Sequence, residues 1–148
     1  MSTFTQIYYH IVFSTKRRER VLDAQWRREM LAYIWGIIKN HNCHLYRMGA
    51  MDDHIHIFSS LHPSVRLADY IKDIKVSSHE WIENKGYCRE FPGWQEGYGA
   101  FTHSYDEKNQ KIEYIKNQEE HHQGMSFRDE LIALFREAGI PFEEKYLV

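Results

Sequence analysis

The alternation of apolar and polar positions along the chain predicts four β-strands. Side chains of a strand point alternately to its two faces, so period-two runs rich in aromatic and β-branched residues indicate strands. Such runs cover residues 6–13, 44–51, 54–60 and 98–104. Asp52-Asp53 lies between the second and third runs and predicts a tight turn, which would join those two strands into a hairpin.

Apolar positions three and four residues apart predict helices between and after the strands. These helices cover residues 23–40 with Asp23 as N-cap, 63–84, 106–122 with Asp106 as N-cap, and 126–139. The last begins with a capping box, Ser126 to Asp129, and ends at Gly139. Helix 106–122 has Ile112 and Ile115 as its clearly apolar residues, so its own apolar face holds it weakly.

The order of the first six elements predicts the fold class. Strand, helix, strand, strand, helix, strand is the ferredoxin-like, RRM-like βαββαβ plan, an α+β fold with a four-stranded antiparallel sheet and two helices on one face. Its central strands are the first and third. We expect residues 1–148 to form a single domain, because this length suits one core and is short for two.

The positive charge of the chain is concentrated at its N-terminal end. The whole chain carries a net charge of −2, but residues 1–50 have a net charge of +5, residues 51–105 of −3 and residues 106–148 of −4. Lys16, Arg17, Arg18 and Arg20 cluster in the loop after the first strand and are candidate phosphate contacts. On charge alone, a solvated basic loop is the favoured interpretation of this pattern.

Cysteine content and hydropathy bear on the compartment. The chain has two cysteines, Cys43 and Cys88, and no disulfide framework. It has no apolar run of membrane-spanning length and no signal-peptide pattern. We therefore expect a cytoplasmic protein with no membrane partner.

The segment Asp53-His54-Ile55-His56 provides the first candidate chemistry. In a strand, His54 and His56 point to one face and Ile55 to the other, so two imidazoles can bind adjacent positions of a metal ion. Asp52 and Asp53 could orient these imidazoles, although turn residues need no function. His10 and His103 are expected to have structural roles.

Tyr114 and Gln118 can complete the site from the polar helix. Their spacing of four residues puts them on one helical face. The Gln118 amide oxygen with His54 and His56 would make a three-ligand site that favours Mg²⁺ or Mn²⁺, and Tyr114 would be the nucleophile. Asn117, His121 and His122 are rival ligands, and Tyr105 is the rival nucleophile.

A His-aliphatic-His strand followed by a helix with one Tyr and a Gln four residues later resembles the HUH single-strand DNA nucleases. Size and element order resemble their single-tyrosine transposases of the IS200/IS605 type. Three further segments are similar: Tyr8 to Lys16, Met51 to His56, and Trp94 to Phe101. The resemblance covers nearly the whole chain up to about Gln123.

The resemblance implies a DNA transposase that cleaves and rejoins single-stranded DNA at hairpin-marked ends. Tyr114 would attack the scissile phosphate, releasing a 3′-hydroxyl and leaving a 5′-phosphotyrosine that a second 3′-hydroxyl later resolves. A tyrosine has an ordinary pKa of about 10, so it needs help at neutral pH. The family also implies a homodimer in which the tyrosine helix serves the partner's histidines.

Three other functions are compatible with parts of the pattern. A domesticated relative could cleave repeat hairpins without mobilising an element. An RRM-like RNA-binding module is suggested by Gly97 to Phe101, but this segment falls on the fourth strand instead of the third. A histidine-triad hydrolase would need a third histidine where Phe58 stands.

Overall fold

The computed structural model describes residues 2–118 and 125–143. A four-stranded antiparallel sheet has the order β2-β3-β1-β4, with β1 Tyr8–Ser14 and β3 His54–Ser59 at its centre. The edge strands are β2 Leu45–Ala50 and β4 Gly99–His103. This is the ferredoxin-like sheet that the sequence predicts, and the α+β fold class is confirmed.

The described residues contain the α-helices α1 Arg27–Asn40, α2 Leu67–Lys85, α3 Lys108–Lys116 and α4 Phe127–Ala138. One face of the sheet packs against α1 and α2. The main core there contains Ile11, Ile57, Met30, Ile34 and Ile74, each fully buried or nearly so. Within the described residues, no helix has the length and apolarity needed to cross a bilayer.

The opposite face of the sheet is covered by α3 and α4. Tyr8 and Phe58 pack there against Ile115 of α3, and Val12 packs against Phe127 of α4. The register pairs Val12 with His56 and Ser14 with His54 across the two central strands. The two histidines are therefore in the middle of a sheet face that helices cover, and not at a solvent-exposed edge.

Several helix boundaries differ from the predicted ones. Helix α1 starts at Arg27 because residues 24–26 form a turn, in which the Asp23 carboxylate accepts the Gln25 N–H at 2.8 Å. Helix α2 starts at Leu67, four residues after Pro63.

The N-cap predicted for the third helix, Asp106, is wrong. A 3₁₀ turn, Tyr105–Glu107, precedes α3, and Ser104 donates its N–H and hydroxyl to the Glu107 carboxylate. For α4 the predicted cap is confirmed, because the Ser126 hydroxyl accepts the Asp129 N–H at 3.1 Å and Gly139 adopts a left-handed conformation. The third helix is also shorter than predicted, because α3 ends at Lys116 with Asn117 as its C-cap instead of continuing to residue 122. His121 and His122 lie outside the described residues.

A β-bulge in β2 changes which residues of the edge strand face α3. Leu45 pairs with Ser59, but Arg47 pairs with Phe58, so Tyr46 is an extra residue. A one-residue shift turns all following side chains to the other face. Arg47 and Gly49 are consequently on the same face of the sheet as Phe58 and His56.

Candidate active site

His54 and His56 form the floor of the candidate active site. Strand alternation puts both imidazoles on the α3/α4 face, where His54 is 1% exposed and His56 is fully buried. Their ring centroids are 5.1 Å apart. Ile55 faces the main core and fixes the strand that presents them.

His10 on β1, for which the sequence predicts a structural role, is a neighbour of the site. A ring nitrogen of His10, Nε2, lies 2.8 Å from His56 Nδ1, and both residues are fully buried. Burial, together with the charges of His56, His103 and Lys111, holds the His10 pKa well below its ordinary value. His10 thus stays neutral and can orient the His56 ring through the nitrogen opposite to the one that faces the site.

Asp53 holds the other histidine. Its carboxylate Oδ1 lies 2.6 Å from His54 Nδ1, which leaves Nε2 facing the site. Burial opposes a positive charge on His54, but the hydrogen bonds and charges of Asp53 and Glu130 outweigh it, so the pKa of His54 is raised. Asp53 therefore does more than form the hairpin turn.

Glu130 of α4 is a site residue that the sequence patterns do not predict. Its Oε1 lies 2.7 Å from His56 Nε2, and its Oε2 lies 3.6 Å from His54 Nε2. It is 2% exposed. The signal was present in the sequence, because Phe127, Glu130 and Leu134 share one helical stripe and an acid in an otherwise apolar stripe needs a buried partner.

Tyr114 lies against the same cluster within one chain. Its hydroxyl donates a hydrogen bond of 2.8 Å to Glu130 Oε1, and its ring centroid is 6.0 Å from that of His56. Burial and the negative charge of Glu130 raise the Tyr114 pKa, while a hydrogen bond with Gln118 acts in the opposite direction. The hydroxyl is thus protonated at neutral pH in this arrangement.

Gln118 is close to Tyr114, as its spacing predicts. It is 3% exposed, and its Nε2 is 3.5 Å from the Tyr114 carbonyl oxygen. Its Oε1 is buried and accepts no hydrogen bond from the described part of the chain. An amide oxygen in that state is available to a ligand.

The rival nucleophile Tyr105 is in a different setting. It is 62% exposed in the turn before α3, and its ring contacts the Lys108 ammonium group. Among the rival ligands near Gln118, Asn117 caps the C-terminal end of α3, and His121 and His122 are outside the described residues.

The donor atoms at this site fit a divalent metal ion. One nitrogen each from His54 and His56 and one oxygen from Glu130 lie within 4.8 Å of one another. Two imidazoles with one carboxylate are a common donor set for first-row divalent ions that keep open positions. The carboxylate also supplies the negative charge that a site of neutral imidazoles and an amide lacks.

Three of the predicted phosphate contacts line a cavity beside the histidines. Arg17, Arg18 and Arg20 border a cavity of about 420 Å³ whose wall includes His54 and Phe127. Lys16 belongs to the same loop, but its side chain is not part of this wall; its N–H donates to the Gly93 carbonyl. Phe127 stacks on His54 with ring centroids 4.3 Å apart.

The loop Lys16 to Arg20, which we call the arginine loop, has an unusual backbone. Arg17 and Arg18 both have left-handed conformations, with φ of 56° and 52°. Such conformations in non-glycine residues cost about 1–3 kcal/mol each and concentrate at functional sites. The Gln95 side chain supports the loop by accepting the Arg17 N–H at 3.2 Å.

Comparisons with known proteins agree with this fold. A family model described as "Transposase IS200 like" matches residues 3–118. A solved protein of Deinococcus radiodurans R1, assigned as a transposase, is similar with a TM-score of 0.63 and 22% identity, over 80% of this chain and 95% of that one. A REP-associated tyrosine transposase bound to a REP hairpin is similar with a TM-score of 0.59 and 14% identity, over 84% of this chain and 76% of that one. No curated protein matches the chain.

Proposed function

The chain belongs to the IS200-like transposase family, and on this basis we propose that it cleaves and rejoins single-stranded DNA with Tyr114 as the nucleophile. The observation that carries the proposal is the contact of Tyr114, through Glu130, with His56. Two buried imidazoles, a buried carboxylate and a half-buried phenol converge in one cluster on a sheet that the family match covers. Tyr105, in an exposed turn, has no such neighbours among the described residues.

In the proposed reaction Tyr114 replaces one phosphate ester bond by another. The Tyr114 oxygen attacks the scissile phosphorus, and its proton passes to Glu130, which already accepts a hydrogen bond from it. The bond from phosphorus to the 3′-oxygen breaks, that oxygen takes up a proton, and the 5′-phosphate stays on Tyr114. A second 3′-hydroxyl reverses these steps and reseals the strand, so no external energy source is needed.

We propose that His54, His56 and Glu130 hold Mg²⁺ or Mn²⁺, with the Gln118 amide oxygen as a further ligand. Such an ion would neutralise charge on the phosphate oxygens and polarise the phosphorus. Asp53 and His10 would keep the two imidazoles in the orientation that turns one nitrogen of each toward the ion. Glu130 would serve as both proton acceptor and ligand, because its Oε1 contacts Tyr114 and His56 and its Oε2 lies 3.6 Å from His54 Nε2.

The proposed substrate is single-stranded DNA with a hairpin near the cleavage site. The solved relative bound to a REP hairpin supports a hairpin as the recognised element. Arg17, Arg18 and Arg20 line a cavity that reaches His54, so they would bind phosphates next to the scissile one. A transposase and a domesticated repeat-hairpin nuclease would share this chemistry and differ in whether the cut ends are joined to new DNA.

The subunit arrangement is part of the proposal. Tyr114 and His56 of the same chain are neighbours, with ring centroids 6.0 Å apart. This arrangement supports catalysis in cis, in which the nucleophile and the histidines belong to one subunit. A homodimer that exchanges α3 would place the same residues together in trans. Sedimentation of the purified protein at micromolar concentration distinguishes a dimer from a monomer.

A cleavage assay tests the proposal. The protein is incubated with a labelled hairpin oligonucleotide carrying single-stranded flanks and with Mg²⁺ or Mn²⁺, and the products are separated on a denaturing gel. We expect a released strand with a free 3′-hydroxyl and a labelled band that protease digestion removes. An RNA-binding module without catalysis would bind the oligonucleotide and leave it intact, and that result would contradict the proposal.

A further inference from the structure

A second basic cavity lies on the edge of the sheet, next to the candidate active site. It has a volume of about 480 Å³ and is bordered by the start of α1, by β2 and by the end of α3. We call it the β2 cavity. Four of its lining residues are cations, namely Arg27, Arg28, Arg47 and Lys116.

Three of the four cations in this cavity have no acidic partner within the described part of the chain. None of the described residues that line it is acidic. Arg28, Arg47 and Lys116 are exposed and form no ion pair with a described residue. Arg27 differs from these three because it donates a hydrogen bond to the Leu22 carbonyl. Three positive charges around one concave surface repel one another, and a bound anion would relieve that repulsion.

Two features place the β2 cavity next to the active site. Gln118 lines the cavity, and its Nε2 donates a hydrogen bond of 3.5 Å to the Tyr114 carbonyl oxygen. Gly49 lines it as well and is paired with His56 across the sheet. A Cβ on Gly49 would come within 3.3 Å of Ile115, so the absence of a side chain there lets α3 approach β2 closely.

The bulge at Tyr46 provides one of the cations. It turns Arg47 to the face that carries His56, whereas regular pairing would turn Arg47 toward the main core. Burial of an unpaired arginine in that core would be costly, so the bulge and the arginine belong together. Bulges that redirect a side chain are common beside functional sites.

We propose that the β2 cavity binds the backbone phosphates of the single-stranded DNA that continues from the scissile phosphate. This inference rests on the proposed function, since the DNA strand is its ligand. The strand would contact the arginine loop on the His54 side of the site and the β2 cavity on the Gln118 side. Binding here needs no base recognition, because Arg28, Arg47 and Lys116 offer positive charge to any sequence.

The test measures binding of a fluorescent hairpin oligonucleotide with a single-stranded flank, by anisotropy, over a range of salt concentrations. Every protein carries Tyr114→Phe, so covalent capture does not contribute. Each phosphate contact on a single strand contributes about 0.7 to the slope of log affinity against log salt. Arg47→Gln and Lys116→Gln should each lower this slope by about 0.7 and weaken binding about fivefold at 0.1 M salt. Lys85→Gln, an exposed cation at the end of α2, should change neither value.

A second arm locates the contact. Neutral methylphosphonate linkages are placed one at a time on either side of the scissile position. If the cavity holds the adjacent strand, a linkage within about three nucleotides on one side should weaken binding to the reference protein but have no further effect on Arg47→Gln. Additive losses at every position would overturn the inference.

Other outcomes separate the inference from the proposed function. Arg47→Gln and Lys116→Gln could leave the DNA affinity and its salt dependence unchanged, while the protein with Tyr114 intact cleaves DNA normally. That result would overturn DNA binding by the β2 cavity but not the proposed function. If Arg47→Gln and Lys116→Gln convert a dimer into a monomer in sedimentation but leave DNA binding unchanged, the β2 cavity contacts a second subunit. That result would also overturn the inference. A wild-type protein that neither binds nor cleaves DNA would overturn the proposed function and this inference with it.

Discussion

Replacing Glu130 by glutamine tests the residue that joins the histidines to the nucleophile. The glutamine side chain would have nearly the same shape and could still accept a hydrogen bond from Tyr114, so we expect α4 to stay in place. What disappears is one buried negative charge between His54 and His56. Loss of a ligand should weaken metal binding at least as much as loss of an outer-shell partner, which is about 10–100-fold.

The expected size follows from binding linkage. At an ion concentration of about 100 times Kd, a metal that binds the folded state stabilises it by about 2.7 kcal/mol. For a chain of this length that corresponds to a Tm increase of about 5–11 °C. A 100-fold weaker site would retain about 0.4 kcal/mol at the same concentration, or about 1–2 °C. Cleavage should fall in parallel.

Thermal unfolding with and without Mn²⁺, alongside the cleavage assay, measures both effects. Asp129→Asn is the matched control, because Asp129 lies in the same turn of α4 but is exposed. It should keep the full metal-induced shift. An undiminished shift in Glu130→Gln would refute the metal-binding function of Glu130. Faster cleavage in that variant would show instead that α4 shields the site from DNA.

Three further predictions concern the histidines and their partners. His56→Ala should abolish cleavage that Mg²⁺ or Mn²⁺ supports, and excess chelator should do the same to the wild-type protein; chelator-resistant cleavage would contradict a metal-dependent reaction. Asp53→Asn should weaken metal binding about 10–100-fold, because the carboxylate that orients His54 is lost; the metal-induced rise in Tm measures this. DNA binding, measured by anisotropy, should stay near normal. Burial and the charge of Lys111 lower the pKa of His103. As pH falls from about 7 toward 5, the unfolded state therefore binds more protons than the native state does. The wild-type protein should lose unfolding free energy relative to His103→Asn across that window, and parallel denaturation curves would refute this.

The local patterns of the sequence were enough to predict the sheet and the His pair. Period-two alternation gives both the strand and the shared face of His54 and His56, and these properties do not depend on distant contacts. The i,i+4 spacing likewise predicts that Tyr114 and Gln118 are close, although Gln118 lies just beyond the C-terminal end of α3. The helix starts were less predictable, because Asp23 and Pro63 begin turns that resemble helix caps before the helices themselves start.

Glu130 and His10 required the tertiary structure. Glu130 is 74 residues from His56 in sequence, and only the packing of α4 on β1 and β4 brings them to 2.7 Å. His10 reaches His56 because β1 and β3 are neighbours in the sheet, so its position follows from strand order and not from its own segment. An acidic residue in the apolar stripe of α4 indicates a buried partner, but the sequence does not identify that partner.

The most direct test of the account is to locate the covalent bond between protein and DNA. The adduct from the cleavage reaction is digested with trypsin and nuclease, and the modified peptide is identified by mass spectrometry. Cleavage after Lys111 and Lys116 isolates Tyr114 in the peptide 112–116, while Tyr98 and Tyr105 fall together in the peptide 90–108. The account predicts a nucleotide on peptide 112–116 and no adduct with Tyr114→Phe. An adduct on peptide 90–108, or one that survives Tyr114→Phe, would contradict it.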